Sequence, residues 1–140
     1  MRGMRRRACL PRWTACSHTH RMFSIEVLDH FQNPRNAGEL EGATASVEVS
    51  NPVCGDVLRL AVKVEQGRII EARFLCRGCT TSIACASLLT ELLTGSLPEA
   101  LGEVTAEALA ARLGGLPAST MHGAVLAADA TRAVLRSLQV

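Results

Sequence analysis

Apolar residues change their spacing twice along this chain, and the changes divide it into stretches of different structure. Behind Ser24, Ile25, Leu28 and Phe31 recur at steps of three, close to one helical face, with Ser24 as N-cap. Asn33-Pro34 stops that helix, and Asn36 and Gly38 continue the turn. His30 falls late in it, where surface or capping duty is expected. The period then drops to two. "ATASVEVS" alternates small or branched residues with polar ones, and "VLRLAVKVE" sets Leu58, Leu60, Val62 and Val64 opposite Arg59, Lys63 and Glu65. "RIIEARFLC" follows the turn "EQGR", where Gly67 suits a hairpin. These segments predict an antiparallel meander with one face to be covered.

From residue 79 the pattern becomes helical. "CTTSIACASLLTELLTG" is apolar on most sides and stops at Gly95. "SLPEALGEV" reads as a short helical turn, and "TAEALAARLGG" as a capped helix ending in Gly114-Gly115. A last helix carries Leu126, Ala130 and Val134 at four-residue steps. Strands first and helices after is the α+β pattern: a small three-stranded antiparallel sheet with helices packed on one face.

Charge separates two unlike pieces. Residues 1–21 hold six arginines and no acid, whereas residues 22–140 hold nine basic and thirteen acidic residues, a net of −4. Without a basic stripe the body is not expected to bind nucleic acid. No apolar run is long enough to span a bilayer and no export signal opens the chain, so no membrane partner and a cytoplasmic location are expected. Residues 1–21 are expected to be a disordered extension or the product of a mis-assigned start at a codon upstream of Met22; a transit peptide and a small metal site of Cys9, Cys16, His18 and His20 are the competing readings. The folded domain is expected over 22–140.

The thiols carry the candidate chemistry, since cysteines in a reducing compartment bind metals or react more often than they pair. Cys54 and Asp56 flank Gly55 at a strand junction and can converge on one point outside the sheet; alone they read equally as a turn with an incidental cysteine. Cys79 follows Gly78 at the start of a helix, where unpaired N–H groups favour a thiolate. Cys85 shares a side with Leu88, Leu89 and Leu92 and reads as a core thiol. Cys76 ends a strand; it is a spare cysteine or an auxiliary ligand, and Cys76-x-x-Cys79 also has the form of a redox pair. His122 opens the last helix after "AST". Two thiolates, an imidazole and a carboxylate suit zinc or iron.

"LDHFQNPRNAG", "NPVCGD", "ARFLCRGCTTSIACASLLTE" and "LP…MHGAVLAADA", in this order, resemble the IscU/NifU N-terminal domain family of iron–sulfur cluster assembly scaffolds. The resemblance implies a sheet-and-helix fold whose exposed end binds iron and a [2Fe-2S] cluster through Cys54, Asp56, Cys79 and His122. It implies sulfur supply by a cysteine desulfurase, delivery to apo Fe–S client proteins, and no enzymatic turnover. The family's third cysteine should follow the histidine, where this chain has Gly123. Cys79 is then the candidate sulfur acceptor, Cys76 a possible replacement thiol, and a cysteine restored at 123 is expected to slow cluster loss. "LPAST" stands where the family carries a Leu-Pro-Pro-Val-Lys sequence, which argues against docking of the specialised Hsp70 chaperone. The alternative is a zinc-binding member that accepts sulfur from, or partners, a desulfurase without holding a cluster. A thiol enzyme built on Cys76 and Cys79 is the third reading, and no general base accompanies it.

Overall fold

The computed structural model describes residues 23–52 and 55–138. The expectations for residues 1–21, including the cysteines and histidines there, lie outside the described residues, as does Cys54.

The three segments of period two form one antiparallel sheet in sequence order: β1 (Ala45–Ser50), β2 (Val57–Glu65) and β3 (Arg68–Arg77). Ala45 to Ser50 pair with Val62 to Val57, and Val57 to Glu65 pair with Arg77 to Arg68. Gln66 and Gly67 both have positive φ (56° and 76°), the backbone of a two-residue type I′ hairpin, which matches the right-handed twist of the strands. A register shift at Lys63/Val64 leaves Ile70 as an extra residue, so Ile69 and Ala72 both point inward although they are three apart. The inner face is Leu58, Leu60, Val62, Ile69, Ala72 and Phe74, all buried. On the opposite side lie ion pairs, Arg59–Glu48 at 3.4 Å in the open and Arg73–Glu71 at 2.8 Å half-buried.

Helix α2 (Thr80–Leu93) is buried nearly all round, which is why its sequence shows little amphipathic contrast. It packs against β3, against α1 (Ile25–Gln32) and against α4 (Met121–Leu138). A 3₁₀ turn (Pro98–Glu103) and α3 (Ala106–Arg112) bridge α2 to α4. The buried side of α4 is rich in alanine, with the expected Leu126, Ala130 and Val134 among it, and small side chains let it lie close to α2, β1 and β2. The outer edge of β3 is capped by the turn after α1: Phe74 donates to the Asn36 carbonyl and Gly38 donates to the Phe74 carbonyl.

Helix α1 is capped by Ser24 as expected, its hydroxyl accepting from the Val27 amide. The face it buries is not the expected one. Val27 and His30 are inside, whereas Ile25 is 77% exposed and Phe31 39%. His30 therefore corrects the expectation of a surface residue. Its Nδ1 lies 2.8 Å from Ser87 Oγ on α2, and its Nε2 lies 3.6 Å from Glu91. The same Ser87 hydroxyl accepts from the Arg35 amide at 2.9 Å, and Thr90 meets Asn36 and the Arg35 carbonyl. Polar partners on α2 thus draw a polar face of α1 inward, because buried polar groups need hydrogen bonds.

Burial pushes the His30 pKa below its ordinary 6.5, aided by the Arg35 charge and opposed by Glu91 and Asp29. Folded protein then binds fewer protons than unfolded chain, so stability from this group is present above pH 6.5 and is lost as pH falls below it. The prediction is that the gap in urea midpoint between wild type and His30→Gln narrows from about pH 7.5 to about pH 5.5. A constant gap across that interval contradicts it.

Candidate metal centre

Three chain segments meet at the same end of the sheet. The turn between β1 and β2 is closed by Asn51 donating to the Asp56 carbonyl and Gly55 donating to the Asn51 carbonyl. Gly55 takes φ 78°, so the turn reverses tightly and delivers Asp56 at the foot of β2. β3 runs out at Arg77, and one glycine later Cys79 is the N-cap of α2. A short 3₁₀ turn (Ala118–Thr120) feeds straight into α4, placing His122 in its first turn.

The side chains converge. Cys79 Sγ lies 3.5 Å from His122 Nε2, and His122 Nε2 lies 3.6 Å from Asp56 Oδ2. All three ligand atoms fall within 4.8 Å of one another. Asp56 is buried, His122 is partly exposed and Cys79 is exposed, so the group is anchored on one side and open on the other. A tetrahedral ion with bonds of about 2.0–2.3 Å separates its ligand atoms by about 3.3–3.8 Å. The two short separations fall in that range, so the donor set fits a metal in both chemistry and spacing.

Close packing fixes these positions. A Cβ on Gly78 would sit 2.7 Å from Asp56 Cγ and 2.9 Å from Oδ2, so only glycine lets β3 turn into α2 across the carboxylate. Ser82, in the first turn of α2, donates its hydroxyl hydrogen to Asp56 Oδ2 and lies 3.4 Å from Cys79 Sγ. Ser82 had no place among the residues read from the sequence; its position three after an N-cap, on the same side of the helix, is the signal that points to it.

Among the described cysteines, Cys76 is not gathered with the three ligand atoms. It pairs with Leu58 in the sheet and packs against the core on the inner face. Burial first, then the charges of Asp56 and Cys79, push its thiol up to about 12. Cys85 is fully buried, and burial pushes it likewise to about 12. Cys76 is thus held as a thiol in this arrangement, and Cys85 is a core residue.

The family pattern of the NifU-like N-terminal domain matches residues 22–139. The chain is 46% identical over 111 residues to the iron–sulfur cluster assembly scaffold protein IscU 1 of Archaeoglobus fulgidus, covering 79% of this chain and 72% of that one. It is 42% identical over 118 residues to the scaffold protein IscU of Azotobacter vinelandii, covering 81% and 91%. Its fold superposes on a nitrogen-fixing NifU-like protein (N-terminal) from Brucella abortus with a TM-score of 0.58 at 15% identity, over 85% of this chain and 84% of that one. The protein is an α+β domain with a three-donor centre at one end of its sheet, and it belongs to the NifU-like N-terminal domain family. Among the described residues no helix is long and apolar enough to cross a membrane.

Gly123, directly after His122, packs α4 against the first turn of α2. A Cβ there would lie 2.9 Å from Ser82 N, 3.0 Å from Ser82 Cα and 3.1 Å from the Thr81 carbonyl carbon, all backbone. A side chain at 123 therefore requires α4 and the first turn of α2 to move apart. Alanine in place of glycine gains up to about 1 kcal/mol of helix propensity, but overpacking against backbone costs about 1–3 kcal/mol. Gly123→Ala is predicted to lower the unfolding free energy in urea, and Gly123→Cys to lower it further. An unchanged or higher value for Gly123→Ala contradicts the contact.

Proposed function

We propose that this chain is an iron–sulfur cluster assembly scaffold: it receives sulfur and iron at the Asp56–Cys79–His122 centre and passes a [2Fe-2S] cluster to apo-proteins. The observation that carries the reading is the convergence of these three donors at one exposed end of the domain, in a chain related to proteins named as such scaffolds. Cys54 is the fourth ligand in this reading, two residues before Asp56 in the sequence. The cluster is cargo, and the protein holds and releases it without turnover.

Cys79 is the sulfur acceptor. Its thiol is exposed and stands at the N-cap of α2 without bonding the helix's first N–H groups, so it is accessible for attack on a partner's sulfur. Cys79 Sγ attacks the terminal sulfur of a cysteine desulfurase persulfide; the sulfur–sulfur bond to the desulfurase breaks, its thiolate leaves, and the persulfide now sits on Cys79. Reduction of that sulfur to sulfide takes two electrons from an external donor, and His122 and Asp56 stand within reach to receive the iron.

A second reading has a specific observation behind it. Separations of 3.5 and 3.6 Å match the shell of one ion, and Gly123 removes the thiol that the family places beside the histidine. A single zinc ion on the same residues, with the chain acting as sulfur acceptor or desulfurase partner, follows from that spacing.

Anaerobic reconstitution with iron, cysteine and a cysteine desulfurase separates the two. The scaffold reading predicts iron with matching acid-labile sulfide, and a persulfide mass shift on the peptide bearing Cys79 when iron is withheld. Zinc that persists through reconstitution, with no sulfide retained, supports the second reading. A persulfide found on Cys54 or Cys76 alone overturns the assignment to Cys79.

A further inference from the structure

Asp56 Oδ2 has a partner that is neither of the other two donors. Ser82 Oγ lies 2.5 Å from it and 3.4 Å from Cys79 Sγ, and Ser82 is only 2% exposed, so water does not compete for the hydroxyl. A serine inside a helix ordinarily points to solvent or bonds back to the carbonyl four residues earlier. This one instead reaches a carboxylate 26 residues away in sequence. A hydroxyl has one proton to give, and a short bond to an anionic carboxylate is the stronger use of it.

The aim of that hydroxyl is fixed from two directions. Gly123 presses α4 against the Ser82 amide nitrogen and Cα, so the backbone carrying the hydroxyl cannot shift toward α4. Gly78 closes over Asp56 from the end of β3, leaving no room for a side chain between the chain there and the carboxylate. One lone pair of Oδ2 is then taken, and the same oxygen faces the centre with its other lone pair, 3.6 Å from His122 Nε2.

We infer that Ser82 is a positioning residue of the metal centre, acting through Asp56: its hydroxyl orients the carboxylate as a single-oxygen ligand. The inference rests on the reading of Asp56 as a ligand. It gives this chain a determinant of metal geometry outside the donor set itself, of the kind by which outer hydrogen-bond partners tune a metal site. A carboxylate restricted in this way favours a small, low-coordinate ion over a large one that takes both carboxylate oxygens.

The test is a double-mutant cycle on the full chain, with cobalt(II) as the probe and a chromophoric chelator as competitor. Ser82→Ala keeps a good helix former at the position, so folding is retained and is checked by its urea midpoint. Ser82→Ala is expected to weaken cobalt(II) binding by about ten- to a hundredfold and to shift the visible ligand-field bands of the bound ion. In an Asp56→Ala background the same substitution is expected to add no more than about twofold. An equal loss in both backgrounds, or unchanged affinity and bands in Ser82→Ala alone, overturns the positioning role while Asp56 remains a ligand. If Asp56→Ala itself leaves cobalt(II) binding intact, the ligand reading of Asp56 fails and the role of Ser82 falls with it.

Discussion

The first turn of α2 is held by contacts with no spare room. α4 lies against its backbone at Gly123, and the β3–α2 junction folds across Asp56 at Gly78. Each contact is closed by a glycine because the atoms opposite would occupy the place of a side chain. Together they set the distance from His122 on α4 to Cys79 at the head of α2, and from both to Asp56 at the foot of β2. Cys79 and His122 sit at the starts of helices and Asp56 immediately before β2, so the centre is built from the packing of these element ends.

That construction gives the centre its asymmetry. Asp56 is buried and hydrogen-bonded, as a carboxylate taken out of water must be, whereas Cys79 stays open to solvent. A buried, inward carboxylate and an accessible, outward thiol suit different needs in the proposed reading: one would define where an ion sits, the other can be approached by a partner protein. Cys76 and Cys85 lie behind them with thiols raised by burial, so the chemistry concentrates on the exposed cysteine among those described.

Much of this was legible in the sequence. Alternation along β2 fixed which residues face inward, and the change of period after Cys79 located the strand-to-helix junction where the centre lies. Element ends are readable because caps and turns have local signatures. What could not be read depends on what stands opposite. Ile25, Leu28 and Phe31 formed the apolar pattern in α1, yet Val27 and His30 are buried, because Ser87 and Glu91, far along the chain, supply partners for the imidazole. Gly123 read as a lost ligand, and only the neighbouring backbone reveals it as a packing contact. Ser82 was hidden for the same reason, since its partner is set by topology.

The claim that Asp56, Cys79 and His122 bind one metal centre together is tested most directly by X-ray absorption at the edge of the bound metal, wild type against Cys79→Ser. The account predicts a mixed shell of sulfur and nitrogen or oxygen in wild type, with sulfur reduced in the variant. A first shell identical in the two proteins contradicts it.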